Sequence, residues 1–227
     1  MAARAKKEEV HIEIPEINIQ RAVVRIVGTS PLVVHQFSEK AKRMMMEKQT
    51  KTARSNGKAA ENPVEDFMGA LYWLTDVPEG YTADKFEEAV KNGARFGFPA
   101  KGVKKSIVAG AYRNGLTKDK VSTLGSFHIN AELLEIKGVK PVMREDPVRL
   151  STGVADLRYR PEFPVGWYMD VPVSFISSIF TLPQLIAFMN IGGFSVGIGE
   201  HRIEKGGQWG AYTVTAAGEV TEDVRAA

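Results

Sequence analysis

The sequence predicts an α+β fold whose frame runs strand, helix, strand, strand, helix, strand. Two stretches carry most of that reading. Arg21 to Val27, RAVVRIV, sets Ala22, Val24 and Ile26 on one side and Arg21, Val23, Arg25 and Val27 on the other. That is the period of a strand with one buried face. Trp167 to Ile176, WYMDVPVSFI, repeats the pattern with Met169, Val171, Val173 and Phe175, and leads into a well-signalled helix and a closing strand.

In chain order, residues 1–9 are small and charged and read as a loose tail. His11 to Ile19, HIEIPEINI, alternates, and Pro15 limits it to an extended arm or an edge. Gly28-Thr29-Ser30-Pro31 ends the first strand, and Leu32 to His35 continues extended. Ser38 is a suitable N-cap for a helix over 39–49, EKAKRMMMEKQ. Lys51 to Glu61, KTARSNGKAAE, has no apolar period and reads as a basic loop. Asn62-Pro63-Val64-Glu65 opens a helix over 63–74, with proline at its first helical position. Thr82 caps a short helix that ends near Gly93. A helix over 100–113 places Val103, Ile107, Val108, Ala111 and Tyr112 on one face. From Phe127 the period shortens: FHIN, LLEIK, 147–150 and 157–159 read as strands. Thr181-Leu182-Pro183-Gln184 is a capping box, with Phe180 and Leu185 as its hydrophobic staple and Leu182, Leu185, Ile186 and Met189 as the buried stripe. Trp209 to Thr215 closes the frame as a strand.

This order is the βαββαβ order of the ferredoxin-like fold. Its strands are expected near 20–27, 146–151, 168–176 and 209–215. Its helices are expected near 39–49, with or without 63–74, and near 182–190. Residues 1–19 form the tail and extended arm. Residues 20–227 form one α+β domain with a largely helical insertion at about 51–140.

Composition narrows the function. A 227-residue chain that is 44% hydrophobic supports a full core. Net charge is only +3, from 30 basic and 27 acidic residues, so the distribution of charge matters more than its sum. With no cysteine, disulfides, thiolate zinc sites and cysteine nucleophiles are excluded. The basic first residues precede no apolar run, and no stretch approaches a membrane span, so a cytoplasmic protein is expected.

The Gly-rich stretch Ile191 to Val214 is the main candidate site. Gly197 and Gly199 let a ligand approach the backbone, and His201, Arg202, Lys205 and Trp209 supply charge and a stacking surface. The bland alternative is a glycine-rich connection from helix to strand. The G-x-G spacing follows a helix rather than opening one, so it is no dinucleotide fingerprint. A second candidate is the basic stretch holding Lys40, Lys42, Arg43 and Lys48, continued by Lys51, Arg54 and Lys58, against the alternative of a solvated face. Met44 to Met46 within it read as packing residues. A third gathers Lys101, Lys104 and Lys105 in the first turns of the 100–113 helix, with Arg113, Lys118 and Lys120 beyond. Lysines there oppose the helix dipole, a conflict that a bound phosphate relieves. Tyr159, Trp167, Tyr168 and Tyr212 are further stacking candidates, though most aromatics are core. His35 and His201 are candidates for acid–base chemistry, and Glu145, Asp146 and Glu200 for Mg²⁺, but no spacing supports either. No cofactor and no metal site are expected.

Two segments give the chain a resemblance to a known family. One is Gly28-Thr29-Ser30-Pro31-Leu32-Val33-Val34-His35 after the first strand. The other is Gly197-Ile198-Gly199-Glu200-His201-Arg202 with Gly206-Gly207 before the last. With these the chain resembles the RAMP superfamily of CRISPR RNA-binding proteins, above all its Cas7-type subunits. It also resembles a group of uncharacterised tailed-bacteriophage proteins. The resemblance implies binding to single-stranded RNA or DNA by a chain that oligomerises along the strand, in the cytoplasm of a bacterial host. The residues then imply contact through Lys, Arg and the Gly-rich loop, without sequence specificity. Two alternatives stand beside it: a phage structural or assembly protein without nucleic-acid binding, and a RAMP-type endoribonuclease.

Overall fold

The computed structural model describes residues 17–37, 42, 45–47, 49–50, 62–149, 153, 155–218 and 221–225, the backbone alone at 149 and 221–225. The expected arm up to residue 16, and the basic residues Lys40, Arg43, Lys48, Lys51, Arg54 and Lys58, lie outside them.

The main sheet has five strands, four of them in the order β10–β1–β9–β5 with every neighbouring pair antiparallel. They are β1 (Ile17–Gly28), β5 (Phe127–Ile129), β9 (Tyr168–Ile176) and β10 (Tyr212–Ala217), and β11 (Thr221–Arg225) continues beside the start of β1. Two helices cross over this sheet, α3 (Ala100–Arg113) before β5 and α5 (Leu182–Ser195) before β10. Strand order and handover of helices are those of a ferredoxin-like core, as the sequence leads one to expect.

The sheet has one buried face because β1 and β9 alternate as their sequences do. Ala22, Val24 and Ile26, and Met169, Val171, Val173 and Phe175, are buried. Arg25 and Asp170 face outward and join in a two-pronged ion pair of 2.7 and 3.1 Å. The helices meet closely where Gly110 faces Gly192, because a Cβ on Gly110 would stand 2.5 Å from the Gly192 Cα. Thr181 and Gln184 form the expected capping box of α5. Phe180 also meets Phe188 edge-on at 5.3 Å and packs against the core cluster that holds Leu185.

Two expected assignments are corrected. The strand near 146–151 belongs to β7 (Val142–Arg149), which pairs with β8 (Ala155–Phe163) in a second sheet of order β2–β8–β7, with β2 at Leu32–Val33. The second strand of the main sheet is β5, three residues long and too short to show a period. The first crossover helix is α3, not the segment near 39–49. Val103, Ile107, Val108 and Ala111 of α3 are buried, whereas Met45 and Met46 are 53% and 64% exposed. Methionines that exposed do not cover a sheet.

A third sheet, β3–β4–β6, is made of Tyr72–Trp73, Phe96–Pro99 and Leu133–Ile136. α2 (Ala83–Lys91), capped by Thr82, lays Phe86 against it, while α1 (Pro63–Gly69), capped by Asn62, packs against β8. The rings of Trp73, Phe86 and Phe96 meet at 4.9 to 6.3 Å between them. One continuous apolar cluster runs through all three sheets.

Candidate functional site

β4 passes directly into α3, and Pro99 at the junction offers no side-chain cap. The first turn of α3 holds no acidic residue and carries Lys101 in its place. Its N-terminal amides and dipole are therefore poised toward an anion. Lys101, Lys105, Ala109 and Arg113 follow at four-residue intervals, so they lie in one row along α3.

That row lines a groove of about 610 Å³, and the other lining is the Gly-rich loop after α5. Gly197, Gly199, Glu200, Arg202 and Glu204 border it, with His35, Tyr72 and Lys120. Two candidate stretches nearly a hundred residues apart in sequence thus form a single site.

The loop is held there by the segment that ends β1. The buried Trp167 donates its indole N–H to the Ser30 carbonyl at 2.8 Å. Ser30 Oγ accepts from the Ala211 amide at 2.9 Å, and the Pro31 carbonyl accepts from the Gly210 amide at 2.7 Å. The Val33 carbonyl accepts from the Glu200 amide at 2.9 Å. The two segments that carry the family resemblance are therefore hydrogen-bonded to one another.

This docking accounts for the glycines. Gly199 has φ 78°, and a Cβ on it would lie 2.4 Å from the Val33 carbonyl oxygen. At Gly197 the corresponding space holds the carbonyl oxygens of Trp209 and Gly210, at 3.1 and 3.2 Å. These glycines let the chain approach itself closely, so the cations around them carry the capacity to bind.

Those cations fall into two groups. Arg113 Nη2 lies 2.5 Å from Glu204 Oε1 and Arg202 Nε 2.9 Å from Glu204 Oε2. Partial burial alone would raise the Glu204 carboxyl, but the bonds from Arg202 and Arg113 outweigh it and hold the pKa below its usual value. Lys101, Lys105 and Lys120 have no ion-pair partner among the described residues. Lys104 turns away from the groove, 5.2 Å above the Phe127 ring, where burial lowers its pKa.

At the β4 end stand His35, Tyr72 and Glu200, because Tyr72 pairs with Gly97 four residues before Lys101. His35 has a lowered pKa. Desolvation of its ring is the main cause, Arg160 and Arg158 add to it, and Glu200 and Asp66 oppose it. Burial, with the Glu200 charge, raises the Tyr72 phenol.

His201, Trp209 and Lys205 do not line the groove. His201, at φ 51°, meets Arg160 Nη1 at 2.8 Å through Nε2 and Trp209 edge-on at 5.3 Å. Arg144 covers Trp209 at 4.5 Å and binds Asp146 and Glu162, both at 2.7 Å. Asp146 and Arg160 are only 7% and 3% exposed. These side chains form a partly buried ionic cluster between the loop and the β7–β8 hairpin, which sequence spacing does not reveal. Lys205 is exposed at the end of a short 3-10 helix, Ile203–Lys205. Lys42 is exposed in a helical stretch. Trp167 and Tyr212 are core residues rather than stacking surfaces, and Tyr168 lies beneath Arg25. Among the described residues no hydrogen bond joins His35 to His201, and no three His, Asp or Glu side chains gather as metal ligands. No described helix is long and apolar enough to cross a membrane.

No family model matches the chain, and no curated protein matches it. Among solved structures it is similar to the crystal structure of Cmr6 from Pyrococcus furiosus. The identity is 9% and the TM-score 0.41, over 87% of this chain and 99% of that chain.

Proposed function

We propose that the groove between α3 and the Gly-rich loop binds the sugar-phosphate backbone of single-stranded nucleic acid, and that copies of the chain assemble along the strand. The observation that carries this reading is the set of unpaired lysines, Lys101, Lys105 and Lys120, in one groove beside an uncapped helix start. Phosphate contacts of this kind position a strand without reading its sequence. The resemblance of the 28–35 and 197–207 segments to the RAMP superfamily supports the same reading, as does their hydrogen-bonded union. Residues 20–227 act in it as one domain, consistent with the single apolar cluster.

The test is a gel-shift titration of single-stranded RNA and DNA at two salt concentrations, with wild-type protein and the double variant K101A/K105A. Binding should weaken steeply with salt, and the double variant should lower the logarithmic salt slope by about 1.4. Light scattering with strands of increasing length should show complexes that grow in steps. No retention of any strand at low salt overturns the proposal.

A further inference from the structure

One wall of the groove does not suit a phosphate. Among the described residues the Glu200 carboxylate has no hydrogen-bond or ion-pair partner, although its backbone is fixed by the amide bond to Val33. An open carboxylate repels the phosphate that Lys101 and Lys105 attract. It stands at the β4 end beside His35 and the half-buried ring of Tyr72. Acceptor, aromatic edge and cations together match the parts of one nucleotide better than they match a bare backbone. A volume of about 610 Å³ is within the usual range for a small-molecule site.

A carboxylate accepts hydrogen bonds and donates none. Guanine presents two adjacent, parallel donors, N1–H and the N2 amino group, to two carboxylate oxygens. Uracil and thymine present one N–H flanked by two carbonyl oxygens, which a carboxylate repels. Adenine and cytosine each offer an exocyclic amine next to a ring acceptor. We propose that the groove seats one nucleotide of the strand with its base edge on Glu200 and its phosphates on Lys101 and Lys105, and that this seat prefers guanine. The inference rests on the nucleic-acid reading above and adds a single preferred base to an otherwise indifferent track. Tyr72 supplies the ring surface beside the base.

Fluorescence anisotropy tests it with a labelled oligouridylate and strands of the same length bearing one central guanine, adenine or cytosine. The wild-type protein should bind the guanine strand about fivefold or more tightly than oligouridylate. E200Q should erase that difference, and K101A/K105A should weaken all strands together. Competition by GMP against UMP on the unaltered protein checks the preference without depending on a variant that folds. Equal affinity for all four strands, or a guanine preference that survives in E200Q, overturns the seat and leaves backbone binding standing. Failure to bind any strand overturns both.

Discussion

The Glu200 amide donates to the Val33 carbonyl at 2.9 Å, and this bond sets the Gly-rich loop against the segment that leaves β1. Gly199 is the residue that permits it. At φ 78°, with the Val33 oxygen where a Cβ would stand, G199A faces both strain and collision. We expect G199A to lose about 1–3 kcal/mol of stability, read as a lower midpoint in thermal or urea denaturation. Strand binding should fall as well, because the loop that borders the groove is displaced.

Glu204 consumes two of the groove's cations. E204Q should release much of the charge of Arg113 and Arg202, so single-strand binding should tighten at low salt. The same change weakens the tie between α3 and the loop at a carboxylate only 18% exposed, at a cost of about 1–2 kcal/mol. Paired binding and denaturation curves for E204Q check both signs. Weaker binding at full stability would count against the groove as a phosphate track.

His35 should make strand binding respond to pH. Its lowered pKa leaves the ring neutral at pH 7, and desolvation is the leading cause. Acidification through that lowered pKa adds a positive charge beside Glu200, under the opposing influence of Arg160 and Arg158 and the support of Asp66. Affinity for a phosphate strand should therefore rise as pH falls below 6.5, the ordinary histidine value. H35A should flatten that rise, which anisotropy across a pH series measures.

Arg160 is a buried cation whose partners are His201 and, at 3.9 Å, Asp146. Truncation to alanine removes one cation from Asp146, which keeps its 2.7 Å bond to Arg144, and empties a buried position, a change that costs about 2–3 kcal/mol. R160A should unfold at markedly lower urea than the wild type. H201A, which removes a half-exposed ring and no permanent charge, should be much milder.

Helix packing over the sheet depends on the glycine pair. G192A would place a Cβ 2.8 Å from the Ile107 Cα and the Ser106 carbonyl oxygen. Overpacking of this kind costs about 1–3 kcal/mol, and a lower thermal midpoint with unchanged strand affinity per folded molecule is the expected outcome.

The α+β class, both long strands of the main sheet, the caps Asn62, Thr82 and Thr181, and the lysines at the start of α3 are legible in the sequence. Each depends on neighbours within a few residues: a two-residue period, a side chain reaching an amide two or three positions on, a charge beside a helix start. The same locality explains what was not legible. β5 has three residues and no period of its own, and it joins the sheet only because β9 offers it an edge. β7, expected beside β9, pairs with its hairpin partner β8 instead.

The site itself was half visible. Lys101, Lys105, Gly197, Gly199 and Arg202 stood out by residue type, but their union did not, because it rests on bonds such as Ser30 to Ala211, 181 positions apart. Tertiary structure likewise decided that Arg113 and Arg202 are drawn onto Glu204, that His201 and Trp209 belong to a partly buried ionic cluster, and that Lys104 turns to Phe127. Charge and residue type are properties of a sequence. Whether a charge remains free to meet a ligand depends on which distant carboxylate the fold brings within reach, and packing alone determines that.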